Sequence, residues 1–141
     1  NEHKLLVLYT SNLYFPTSDI LFQYWPNMHE FSIATDLIDL VISSMTEYPG
    51  AKVKSITVSV GILSGVDSEA LQFCFPEAAK GTHANGAELI LEMVPLIVDC
   101  PDCATRHDGG RSLKCPKCGS GDVTVCSGKD LILSTFDIVI P

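Results

Sequence analysis

The sequence predicts an α+β domain carrying an inserted cysteine module, and three patterns predict it. Apolar residues recur at spacings of three and four through residues 29–48, they alternate from Lys54 onward, and two CxxC pairs lie between two further strand-like apolar runs. With 141 residues, 46% hydrophobic and 18% charged, the chain can bury about two-thirds of its unfolded surface around one core. No apolar run reaches the roughly 18 to 20 residues that cross a bilayer, and residues 5–9 are too short for a secretory signal. The expected setting is soluble and cytoplasmic, without membrane contact. A formal net charge of −8 repels a phosphate backbone and argues against nucleic acid as a partner.

Residues 1–27 form an extension of unknown role. They hold six of the eleven aromatic residues, Tyr9, Tyr14, Phe15, Phe22, Tyr24 and Trp25, broken by Pro16 and Pro26, and only residues 5–8 read as a short strand. Through 29–48, Phe31, Ala34, Leu37, Ile38, Val41, Ile42 and Met45 share one stripe of a helix, which Pro49 and Gly50 end. From Lys54, the residues Ile56, Val58, Val60 and Ile62 alternate with Ser55, Thr57 and Ser59, giving a strand with one buried face. Asp67 or Ser68 caps a second helix carrying Leu71, Cys74, Phe75 and Ala78. Pro76 should kink or divide that helix, because it lacks a backbone donor, and Gly81 should stop it. Residues 87–94 and 131–140 are two further strands.

Between them lie Cys100, Cys103, Cys115 and Cys118, four of the six cysteines within nineteen residues. Two CxxC pairs at this spacing let four thiolates converge on one zinc ion, and Gly119 gives the second knuckle its positive-φ residue. Four sulfurs leave no position for water, so the zinc is structural. Across residues 100–126, four basic side chains, three aspartates, four thiolates and a dication leave a net charge of about −1. No aromatic ring lies between Phe75 and Phe136 to stack a base, which weakens the alternative of a zinc-ribbon RNA-binding or adaptor protein. A thiol enzyme using Cys74 or Cys126 is a further alternative, although Cys74 reads as a small buried hydrophobe and Cys126 as a strand-entry residue. His107 reads as a solvated histidine in the loop between the knuckles, and His83 as a turn residue.

From Met28 to about Val139 the chain resembles the HypA/HybF hydrogenase maturation factors. The markers are Met28-His29-Glu30-Phe31-Ser32, the run VSVGILSG from Val58, Gly81-Thr82 with Gly86-Ala87-Glu88-Leu89, the CxxC pairs continuing into Gly119-Ser120, and Gly128-Lys129-Asp130-Leu131. The resemblance implies a small mixed β-sheet flanked by two helices, with the zinc lobe inserted before the last strand. It divides the chain into a nickel-binding domain, residues 28–99 with 127–141, and a zinc lobe, residues 100–126. It implies a non-enzymatic nickel metallochaperone for [NiFe] hydrogenase, in some bacteria also for urease. The implied partners are the pathway's nickel-handling GTPase and the hydrogenase large subunit.

The resemblance further implies that Met28, His29 and Glu30 bind nickel. An α-amine, the following amide nitrogen and an imidazole form fused chelate rings around a square-planar ion, with Glu30 or its amide completing the set. Met28 is internal in this sequence, where its nitrogen is bonded to Asn27. The implied functional start is therefore Met28, with residues 1–27 an upstream extension, a tag-like leader or a mis-chosen start. The residues alone also allow Asn27 to cap the helix, with Glu30 as its capping-box partner and His29 merely exposed.

Overall fold

The computed structural model describes the backbone of residues 2–7 and 26–141, with side chains for residues 3–5 and 30–141. The element order is β1 (Glu2–Val7), α1 (Pro26–Ser43), β2 (Lys52–Gly61), α2 (Ser68–Ala79), β3 (Glu88–Val94), β4 (Leu96–Cys100), β5 (Thr105–Gly110), β6 (Thr124–Ser127) and β7 (Leu131–Ile140). Four strands form one mixed sheet in the order β1-β7-β2-β3, and three form a second sheet in the order β5-β4-β6.

Period-two alternation fixes which face of the first sheet is covered. Val53, Ile56, Val58 and Val60 of β2 join Leu131, Leu133, Phe136 and Ile138 of β7 in one buried cluster. Ala34, Leu37, Ile38 and Val41 of α1 and Leu71, Phe75 and Ala79 of α2 complete it. Ser55, Thr57 and Ser59 face the other way and are half-buried. Strands β2 and β3 run parallel, from Ser55 opposite Glu88 to Gly61 opposite Val94. Parallel neighbours need a crossover, which α2 supplies. Strand β7 runs antiparallel to both β2 and β1.

Several local expectations are corrected. Helix α1 begins at Pro26, so Asn27 is inside it and is not its cap. Regular helix ends at Ser43, and turns carry the chain on to Tyr48. Phe31 is 40% exposed, whereas Ile33 is buried, so the apolar stripe is rotated at its start. Strand β2 ends at Gly61, leaving Ile62 half-buried beyond it. Pro76 does not divide α2: the helix runs on from Ser68 to Ala79 with the proline exposed. Of the extension, β1 covers residues 2–7, and the rest of the strand expected at 5–8 lies outside the described residues.

The two sheets meet at a backbone crossing. The amides of Gly61 and Leu63 donate to the carbonyls of Asp130 and Gly128, each at 2.8 Å, and Ile62 N donates to Val94 O at 3.0 Å. A Cβ on Gly61 would stand 2.4 Å from the carbonyl carbon of Gly128. One on Gly128 would stand 2.6 Å from both Leu96 Cα and Pro95 O, and Gly128 also has φ +98°. Three main chains are thus stacked where no side chain fits, in the VSVGILSG and GKDL runs. Gly128→Ala is expected to destabilise the protein by about 2 to 4 kcal/mol, combining left-handed strain with displacement of backbone. Urea denaturation would measure this, and a change within about 0.5 kcal/mol would show the crossing to be loose.

Candidate metal centres

The four knuckle cysteines come together from three places. Cys100 ends β4, Cys103 follows in the turn before β5, and Cys115 and Cys118 flank the tight turn that leads toward β6. Gly119 N donates to Cys115 O and Cys115 N donates to Ser120 O, both at 2.9 Å, and Gly119 has φ +75° as the sequence requires. The first knuckle places Ala104 at the same point with φ +53°, a conformation in which its Cβ is strained. Cys100 and Cys115 are buried, Cys103 is half-buried and Cys118 is exposed.

All four sulfurs lie within 4.8 Å of one another, with Cys100 Sγ 3.6 Å from Cys118 Sγ and Cys103 Sγ 3.8 Å from Cys115 Sγ. Sulfurs held about 2.3 Å from one tetrahedral ion are about 3.8 Å apart, so the side chains stand at the spacing that zinc requires. Among the described residues this is the one group of His, Cys, Asp and Glu so arranged. Knuckle amides aim at the sulfurs: the Cys118 amide, helped by that of Lys117, draws the Cys115 thiol down to about 6. The Cys103 thiol is pushed up to about 12, first by the neighbouring Cys118 thiol and then by burial. At Cys100 the Cys103 amide pulls downward, but burial and the thiols of Cys118 and Cys115 leave it raised. The Cys115 sulfur ionises readily while those of Cys100 and Cys103 resist, an arrangement that a dication relieves by displacing the protons.

Other expected residues fall apart from this cluster. His107 is in β5 rather than in a loop, with Nε2 2.6 Å from Thr105 Oγ1. His83 Nδ1 lies 3.0 Å from Ala51 O, and His83 O accepts from Val53 N, so this residue splices the turn before β3 to the start of β2. The Cys126 thiol is raised chiefly by its hydrogen bond to Asp99, and that of Cys74 chiefly by burial, so neither is a ready thiolate. Arg106 grips Asp99 through Nε at 2.8 Å and Nη2 at 3.1 Å, holding the Asp99 carboxyl down at about 2 and occupying one of the lobe's four basic residues.

Met28 and His29 lie in the first turns of α1, and their side chains are outside the described residues. Glu30 is 2% exposed, and its Oε1 accepts from the amide of Asp67 at 3.3 Å. Asp67 is the N-cap of α2, its Oδ1 accepting from Glu69 N at 3.0 Å and Ala70 N at 3.1 Å. The Glu30 carboxylate thus reaches across to the other helix. This pairing joins residues 37 apart in sequence and had no local signal.

Residues 28–138 match the family described as hydrogenase/urease nickel incorporation metallochaperone, HypA. The chain belongs to the HypA family. Hydrogenase maturation factor HypA of Aquifex aeolicus is 35% identical over 114 residues, covering 80% of this chain and 99% of the relative. That of Chlorobaculum tepidum is 38% identical over 112 residues, covering 79% and 99%. In fold, the solution structure of the nickel metallochaperone HypA from Helicobacter pylori aligns with a TM-score of 0.57 at 20% identity, covering 79% of this chain and 98% of that one. HypA membership makes this chain a hydrogenase maturation factor of the nickel metallochaperone kind, working among other maturation proteins. No described helix is long and apolar enough to cross a membrane.

Two outcomes test the sulfur cluster. Stripping metal with a chelator, or replacing Cys115 by Ala, should abolish hydrogen-exchange protection in β4–β6 and leave it in β2 and β7; uniform loss would show that the lobe and the first sheet fold as one unit. Ala104→Gly should stabilise the lobe by about 1 kcal/mol, read as slower exchange in β4 and β5, whereas a neutral or destabilising result would mean that the turn carries no strain.

Proposed function

We propose that this chain carries nickel for insertion into a [NiFe] hydrogenase, holding it at the start of α1. In a chain beginning at Met28, its ligands are the α-amine of Met28, the amide and imidazole of His29, and Glu30. Because the Glu30 carboxylate meets the Asp67 amide, Glu30 contributes through its own amide nitrogen, and its side chain fixes the turn that presents the chelate. The family match from residue 28 to 138, beginning at the methionine whose amine the chelate needs, carries this reading.

Cys100, Cys103, Cys115 and Cys118 hold zinc, which folds the lobe and takes no part in chemistry, since four sulfurs leave no open position. Nickel here is cargo. A site of nitrogen donors at a chain end can release the ion, and the protein needs no catalytic group of its own. Its partners are the maturation GTPase that handles nickel and the hydrogenase large subunit that receives it, in the cytoplasm. Urease is a second recipient that the family description supports. Neither nucleic acid nor a membrane is a partner.

His29→Ala should abolish tight nickel binding without disturbing the zinc content, and a change in the first turns of the helix should cost no more than about 0.5 kcal/mol of stability. Calorimetric titration with nickel, together with metal analysis, measures both. Unchanged nickel affinity would remove His29 from the ligand set. A chain beginning at Met28 should bind nickel about ten-fold more tightly than one carrying residues 1–27, the equivalent of about 1.4 kcal/mol for one coordinating nitrogen. Equal affinities would mean that the amine is not a ligand.

A further inference from the structure

Residues 2–7 lie before the family region, yet they complete its sheet. Strand β1 pairs with β7 in unbroken antiparallel register, from Glu2 opposite Ile140 to Val7 opposite Thr135. Its described side chains, His3, Lys4 and Leu5, are all exposed, Leu5 to 64%. The backbone ladder holds this strand, and among its described side chains Lys4 adds to it. The Lys4 ammonium donates to the Tyr48 hydroxyl and sits 4.4 Å from the centroid of its ring. Tyr48 is half-buried against the core in the turn after α1. Both Tyr48 and most of β7 lie within residues 28–138, whereas the strand that engages them does not.

From this geometry we propose that the outer edge of β7, with Tyr48 at its end, is a strand-addition site for an extended, lysine-bearing segment of a partner protein. Residues 2–7 are the strand that fills it in cis. An unpaired sheet edge offers amides and carbonyls to any extended chain, and a tyrosine ring with its hydroxyl selects an ammonium among them. A cationic ligand also suits a chain of net charge −8. In a chain carrying residues 1–27, β1 competes for this edge from within the same molecule, whereas a chain beginning at Met28 leaves it open to the partner.

The test uses the full-length chain and a labelled peptide with the sequence of residues 2–7. Fluorescence anisotropy would compare the parent with a variant combining Lys4→Glu and Leu5→Pro, and with Lys4→Glu alone should the double variant misfold. The weakened-strand variant should capture the peptide at least about ten-fold more tightly than the parent, because its internal competitor is gone. A peptide carrying Lys4→Ala, or a second change Tyr48→Leu in the protein, should lower that capture by about three-fold. Exchange of the β7 amides should quicken in the variant and slow again when peptide is added. No capture by either variant, equal capture of the lysine and alanine peptides, or pairing of the variant with a second copy of itself in place of the peptide would each overturn the proposal.

Discussion

From Leu96 to Ser127 the chain buries only four hydrophobic side chains, Leu96, Val98, Cys100 and Cys115, and two of these are thiols. Two aliphatic residues cannot offset the conformational entropy of ordering three short strands, whose cost runs to about 1 to 2 kcal/mol for each residue fixed. What gives the lobe a defined shape is the convergence of four sulfurs, which can replace a hydrophobic core with coordination to a metal ion. The charge pattern agrees. The amides of the second knuckle favour the Cys115 thiolate while crowding and burial oppose those of Cys100 and Cys103, so the cluster is poised for a dication. The lobe meets the first sheet at the crossing of Gly61, Gly128 and Leu96, where main chain rests directly on main chain.

At the other end of the molecule, the first turns of α1 are held by a different interaction. The Glu30 carboxylate reaches the amide of Asp67 at the start of α2, where the unpaired amides of a helix N-terminus favour an anion. Asp67 caps the same turn with its own carboxylate. The segment Met28-His29-Glu30 is thereby fixed to the second helix at its third residue, while the first two precede the anchor. As proposed, the two centres differ in donors, nitrogen against sulfur, and that difference separates a carried ion from a resident one.

Much of this was legible in sequence because local rules wrote it. Ile56, Val58 and Val60 announce a half-buried strand by alternation, Leu37, Ile38 and Val41 announce a helix by their spacing, and the two CxxC pairs announce a four-sulfur site. The paired glycine-containing runs were visible as family markers, but their reason was not: Gly61 and Gly128 are small because three chains cross there, and the third, at Leu96, is in a separate element. The Glu30–Asp67 contact and the Arg106–Asp99 pair were hidden because each is set by tertiary or strand register. His107 was misread as a loop residue because its neighbours Asp108, Gly109 and Gly110 carry turn composition, yet pairing with β4 draws them into a strand. Phe31 was misread because periodicity gives the stripe but not where a helix end leaves the core.

The separation of two metals by donor chemistry is tested most directly by X-ray absorption at both edges of one sample, the protein beginning at Met28 loaded with nickel and zinc. The zinc edge should report four sulfur neighbours at about 2.3 Å, and the nickel edge only nitrogen and oxygen neighbours in a square-planar pattern. Sulfur around the nickel, or nitrogen around the zinc, would mean that the ions share or exchange ligands, and the division between a carried and a resident metal would fail.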